Sequence, residues 1–112
     1  MEQLSQKHCV PNPPGTLPLT PDQALAMKEN LHGSWDLTLD STCLERVFRF
    51  KNFKNAMAFA VRVGDIAEAE NHHPDLHVSW GRLRVDITSH DVHGLSENDF
   101  ILAARIDALA AE

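Results

Sequence analysis

The strongest constraint in this chain is a change of period. From Phe53 onward, apolar residues return every three or four positions at Ala56, Met57, Ala60, Val63 and Ala67, joined by Phe59 and Ile66. That is the stripe of a helix buried along one side. On either flank the period falls to two. Trp35, Leu37 and Leu39 alternate before it, followed by Leu44–Phe50; behind it come Leu76, Val78 and Trp80, then Leu83, Val85 and Ile87. Period-two segments put their apolar side chains on one face of a strand, so the chain should pair strands two by two around a central helix.

Boundary signals complete the outline. Residues 1–19 contain Pro11, Pro13, Pro14, Gly15 and Pro18, too many breakers for a helix or central strand, and should form an extended leader before a domain spanning 20–112. Thr20-Pro21-Asp22-Gln23 supplies a cap, an N1 proline and a Gln three residues past the cap, predicting a helix to about Leu31 that Gly33 ends. Asn52 can cap the striped helix, which reaches about Asn71 before Pro74 stops it, and Ser96-Glu97-Asn98-Asp99 opens a last helix. The order is α-β-β-α-β-β-α. It predicts a two-layer α+β domain, a four-stranded, mainly antiparallel sheet with three helices on one face. Such a small domain leaves a sheet face or edge uncovered, so a homo-oligomer is expected.

Composition narrows the function. Ten Lys and Arg stand against 16 Asp and Glu, a formal charge of −6, which disfavours a nucleic-acid backbone or an anionic membrane as partner. No apolar run approaches the roughly 18 residues of a membrane span, and Cys9 and Cys43 are too few for a disulfide framework, so a cytoplasmic protein is expected. Seven histidines and no tyrosine are the oddity, pointing to proton transfer or metal binding.

Chemistry concentrates where the striped helix gives way to the third strand, in Glu68-Ala69-Glu70-Asn71-His72-His73-Pro74-Asp75. His72 and His73 are adjacent and precede a proline that favours extended backbone, so they should point apart. His90, at the expected end of the fourth strand, returns to the same edge and can share their pocket. Zinc asks for two histidines one helical turn apart or for paired thiolates; neither is present, and no metal is expected. Each residue also has a plainer reading. His72 and His73 can cap a helix end, Pro74 simply stop the helix, His90 sit at the surface and Glu68 be solvated. Asp99 can be half of a capping box, and Trp35 and Trp80 ordinary core or interface aromatics.

The string Glu68-x3-His72-His73-Pro74, followed by five residues to Trp80, nine to His90 and eight to Asp99, resembles the signature of the pterin-4a-carbinolamine dehydratases. Phe48-Arg49-Phe50-Lys51-Asn52-Phe53 and Gly94-Leu95-Ser96-Glu97-Asn98-Asp99 are similar to the family too, and the resemblance spans about residues 19–109. It implies a hydro-lyase that dehydrates 4a-hydroxytetrahydropterin to quinonoid dihydropterin for aromatic amino-acid hydroxylases, with pterin as substrate and no cofactor. It implies His72, His73 and His90 as the acid–base set and Glu68 as the group orienting a histidine. Trp35 would lie near the pterin, Asp99 would close the site from the last helix, and Pro74 and Asp75 would support it. A homodimer or homotetramer is implied. Asn71 and Val92 depart from the pattern, standing where relatives often carry an acid and a cysteine; neither removes a histidine. Some relatives only bind proteins, as a RuBisCO assembly factor or a transcription-factor dimerisation cofactor, which is the alternative reading.

Overall fold

Thr20 caps the first helix, α1 (Pro21–Lys28), as its sequence predicts: its hydroxyl accepts the Gln23 N–H at 3.2 Å while the Gln23 side chain accepts the Thr20 N–H at 2.9 Å. The computed structural model describes residues 3–112. α1 stops short of the expected Leu31, and Asn30 and Leu31 continue in tight turns whose N–H groups reach Met27 and Lys28. Four strands follow in two pairs, β1 (Asp36–Thr38) with β2 (Cys43–Arg49) and, after α2 (Phe53–Glu70), β3 (Asp75–Ser79) with β4 (Arg82–Ile87); α3 (Glu97–Ala110) closes the chain. All three strand pairings are antiparallel, in the spatial order β1-β2-β4-β3. The domain is therefore α+β, with the element order read from the periods.

Strand register sorts the side chains. Leu44 faces Ile87, Phe48 faces Leu83 and Leu76 faces Val85, which gives the sheet one apolar face. Ala24 of α1, Val63 of α2 and Phe100, Leu102 and Ile106 of α3 pack with it in one core. On the opposite face Arg84 lies between Glu45 and Asp86, and Asp86 also meets His77 at 3.1 Å. β1 is shorter than Trp35–Leu39 because Leu39, Asp40 and Ser41 all turn left-handed, with φ of 52°, 56° and 64°. At the other hairpin Gly81 takes φ +70°, a conformation that costs glycine no Cβ clash, and its carbonyl accepts the Phe50 N–H at 2.8 Å.

Helix burial refines the predicted stripe. The buried line of α2 is Ala56, Ala60, Val63 and Ala67, while Phe53 and Met57 are exposed. In α3 every residue from Asn98 to Ala104 is buried, more than one face can account for. The reason lies in residues 3–19, whose short 3-10 turn Leu4–Gln6 packs against α3 in addition to the sheet and α2.

Candidate active site

α2 ends where Asn71 takes a left-handed φ of 52°, so the stop is made three residues before Pro74. Asn tolerates that geometry because its side chain can bond locally. The N–H of His72 then returns to Ala67 at 3.2 Å, and the turn sends the two imidazoles apart, as their adjacency predicts. His72 goes inward, its side chain 16% exposed, with Nε2 at 2.6 Å from Oδ1 of Asp99, which has no exposed surface. His73 stays at the surface, and its Nε2 pairs with Glu68 one turn back on α2.

Asp99 owes its position to the start of α3. Its Oδ2 accepts the Ser96 N–H at 2.8 Å, the expected return bond of the helix cap, and also the Ser89 hydroxyl at 2.8 Å. Ser96 Oγ donates to Ser89 Oγ at 2.8 Å, completing a buried chain of polar groups. A carboxylate only accepts, so the hydrogen shared with His72 sits on Nε2, and Nδ1 is the ring nitrogen outside that bond. Ser89 was not singled out from sequence, and no local signal marks it: its role depends on β4 delivering it beside α3.

β4 itself ends at Ile87, earlier than expected, and His90 opens a 3-10 turn, His90–Val92, which closes when Ser89 and Gly94 exchange backbone hydrogen bonds. This turn places His90, exposed, on the same cleft as His72 and His73. The cleft measures about 380 Å³, within the range of small-ligand sites. Part of its wall comes from the N-terminal segment, Cys9 to Asn12, and part from Glu70 and Asn98, none of which sequence reasoning selected. Burial, with the negative charges of Glu70 and Asp99, pushes the Cys9 thiol up to about 12, so this cysteine is no nucleophile near neutrality.

The other sequence candidates stand apart from the cleft. Pro74 and Asp75 carry the chain into β3, and Asp75 pairs with Asp86. Trp35 is fully buried in the core, and its indole donates to Asp107 at 2.7 Å. Asp107 is also held by Arg46 at 2.5 Å and accepts the His32 N–H at 2.9 Å. Trp35 thus locks α3 to the sheet and does not line the histidine cleft. Among the described residues, no three His, Cys, Asp or Glu side chains form a group able to hold a metal ion.

Fold and site together define a small two-layer domain whose imidazoles, steadied by carboxylates, meet at a ligand-sized cleft. The model of the family Pterin 4 alpha carbinolamine dehydratase matches residues 17–109, and the chain belongs to that family. It is 46% identical over 109 residues to a Methylococcus capsulatus protein provisionally named a pterin-4-alpha-carbinolamine dehydratase, covering 97% of this chain and 95% of that one. It is 43% identical over 116 residues to the Arabidopsis thaliana pterin-4-alpha-carbinolamine dehydratase 2, mitochondrial, covering all of this chain and 62% of the plant protein. Among solved structures it superposes on the transcriptional coactivator/pterin dehydratase from Brucella melitensis with TM-score 0.76 and 27% identity, covering 83% of this chain and 98% of that one. No helix among the described residues is long and apolar enough to cross a membrane.

Proposed function

We propose that this chain dehydrates 4a-hydroxytetrahydropterin to quinonoid dihydropterin, with His72, His73 and His90 as its acid–base groups. The observation that carries the reading is the buried Asp99–His72 pair opening onto the cleft that His73 and His90 also line, in a chain of this family. In the reaction the N5 proton leaves to a base, the N5 electron pair forms the new C=N bond, and the C4a–O bond breaks as an acid protonates the departing hydroxyl. Atoms balance with water as the only co-product. Asp99 fixes the ring of His72 so that Nδ1 is the nitrogen that gives or takes a proton. Glu68 orients His73 in the same manner from the surface. The pterin is substrate, and the proposed reaction uses no cofactor. A homodimer or homotetramer, a cytoplasmic location and an aromatic amino-acid hydroxylase as the source of the carbinolamine belong to the same proposal.

The test is a spectrophotometric dehydration assay on chemically generated 4a-hydroxytetrahydropterin, comparing wild type with His72→Ala/His90→Ala at pH 6–9. Acceleration by wild type, reduced about a hundredfold or more in the variant, is the expected result. No acceleration by wild type would refute the reading and leave a protein-binding role to be sought by pull-down.

A further inference from the structure

The family model begins at residue 17, yet Cys9 to Asn12, ahead of it, form part of the cleft wall. That stretch is fixed by side chains the proposed chemistry does not use. Glu70, buried at the end of α2, accepts the Cys9 N–H at 2.7 Å and meets His8 Nδ1 at 2.9 Å. Asn98, buried in the first turn of α3, exchanges two hydrogen bonds with the Val10 backbone: Val10 N–H donates to Oδ1 at 3.0 Å and Nδ2 donates to the Val10 carbonyl at 2.6 Å. The pair reproduces what a neighbouring strand would offer. Farther along, Asn12 donates to Asp91 at 3.1 Å, beside His90. Two buried polar side chains committed to one short segment, one on each helix that frames the site, hold it in a single conformation.

We infer that residues 9–12 are a substrate-positioning strap, with Glu70 and Asn98 as positioning residues that set it against the cleft. Val10 and Pro11 add apolar surface beside the imidazoles, the combination that suits a flat heterocycle whose faces are apolar and whose edge exchanges protons. The inference rests on the dehydratase reading for the identity of that heterocycle.

The experiment compares wild type, Asn98→Ala and Asn12→Ala in full-length protein. It measures kcat and KM for dehydration, the Kd of non-reacting 7,8-dihydrobiopterin by fluorescence, and thermal unfolding. Asn98→Ala removes both ties to Val10; Asn12→Ala cuts only an exposed tie and so carries the test should the buried change impair folding. The expected result is KM and Kd raised together about three- to tenfold, the worth of a hydrogen bond, with kcat lowered no more than twofold. If wild type turns over and the folded variants keep KM and Kd within twofold of it, the strap is overturned and the dehydratase reading stands. A wild type that binds dihydrobiopterin through the strap but does not dehydrate would overturn the dehydratase reading alone. Neither binding nor turnover in wild type overturns both.

Discussion

Asp99→Asn exchanges one carboxylate oxygen for an amide nitrogen where α3 meets His72. The native carboxylate accepts three hydrogen bonds, from His72 at 2.6 Å and from Ser89 and Ser96 at 2.8 Å each. The amide keeps one accepting oxygen. Turned toward Ser96 and Ser89, that oxygen preserves the helix cap, worth about 1 kcal/mol, and the amide nitrogen then faces His72. Two donors cannot bond each other, so His72 must move its hydrogen from Nε2 to Nδ1 or lose its partner. Replacing charge-assisted bonds by neutral ones should cost about 1–2 kcal/mol, a fall in Tm of roughly 4–8 °C. Turnover should fall much further, about a hundredfold or more, because the ring nitrogen facing the cleft has the wrong protonation. Dehydration kinetics well below Tm, with 15N NMR of the imidazole to report its tautomer, separate the two effects. A kcat within about threefold of wild type would refute the reasoning. Asp99→Ala is the less useful variant, since it strands the buried Ser96 N–H and Ser89 hydroxyl and should cost about 3–5 kcal/mol.

Burial by itself would raise the Glu70 carboxyl, but the Cys9 N–H, His8 and Arg105 outweigh it and hold the group below its ordinary value of 4.5. Attachment of the N-terminal segment should therefore be at full strength above that value and weaken as pH falls through the lowered one; exchange rates of the Cys9 and Val10 amides from pH 3 to 7 would show it, and loss beginning near pH 6 would contradict it. Glu70→Gln should flatten that dependence. Gly81→Ala places a Cβ 3.0 Å from the Phe50 carbonyl oxygen on a backbone at φ +70°, and should lower stability by about 1–2 kcal/mol in urea unfolding; an unchanged midpoint would show that the hairpin relaxes freely. Exhaustive chelation should leave dehydration unchanged, since among the described residues no three His, Cys, Asp or Glu side chains group as metal ligands; activity lost with EDTA and restored by zinc would contradict it.

The legible parts of this molecule are those written in neighbouring residues. The stripe of α2, the alternation of β4, the cap at Thr20 and the divergence of His72 and His73 all follow from spacing, and the return of His90 to their edge follows from pairing antiparallel strands. What spacing does not carry is partnership across the fold. Ser89 is an ordinary serine until β4 brings it to Asp99. Asn98 and Glu70 gain their partners only when the N-terminal segment docks on them, and that segment, proline-rich and polar, offers no period from which its docking could be read. Trp35 alternates with Leu37 like a strand residue, yet its indole seeks Asp107, more than 70 positions away, where it is fully buried. The end of α2 near Asn71 is legible too, although the residue that makes the stop is Asn71 itself, which takes left-handed geometry readily, and not Pro74.

That left-handed Asn71 also decides where this fold can change length. Between it and Asp75 lie His72, His73 and Pro74 alone, and they set both which imidazole enters the interior and which face β3 presents to β4. One residue added there would exchange the two histidines and turn Leu76 and Val78 from the core to solvent, because a strand reverses its faces with every single-residue slip. The left-handed turn at Leu39–Ser41 and the exposed stretch around Pro13–Gly15 carry no such double duty. Insertions and deletions should collect in those places, while the joint between α2 and β3 keeps its length even where its neighbours drift in identity.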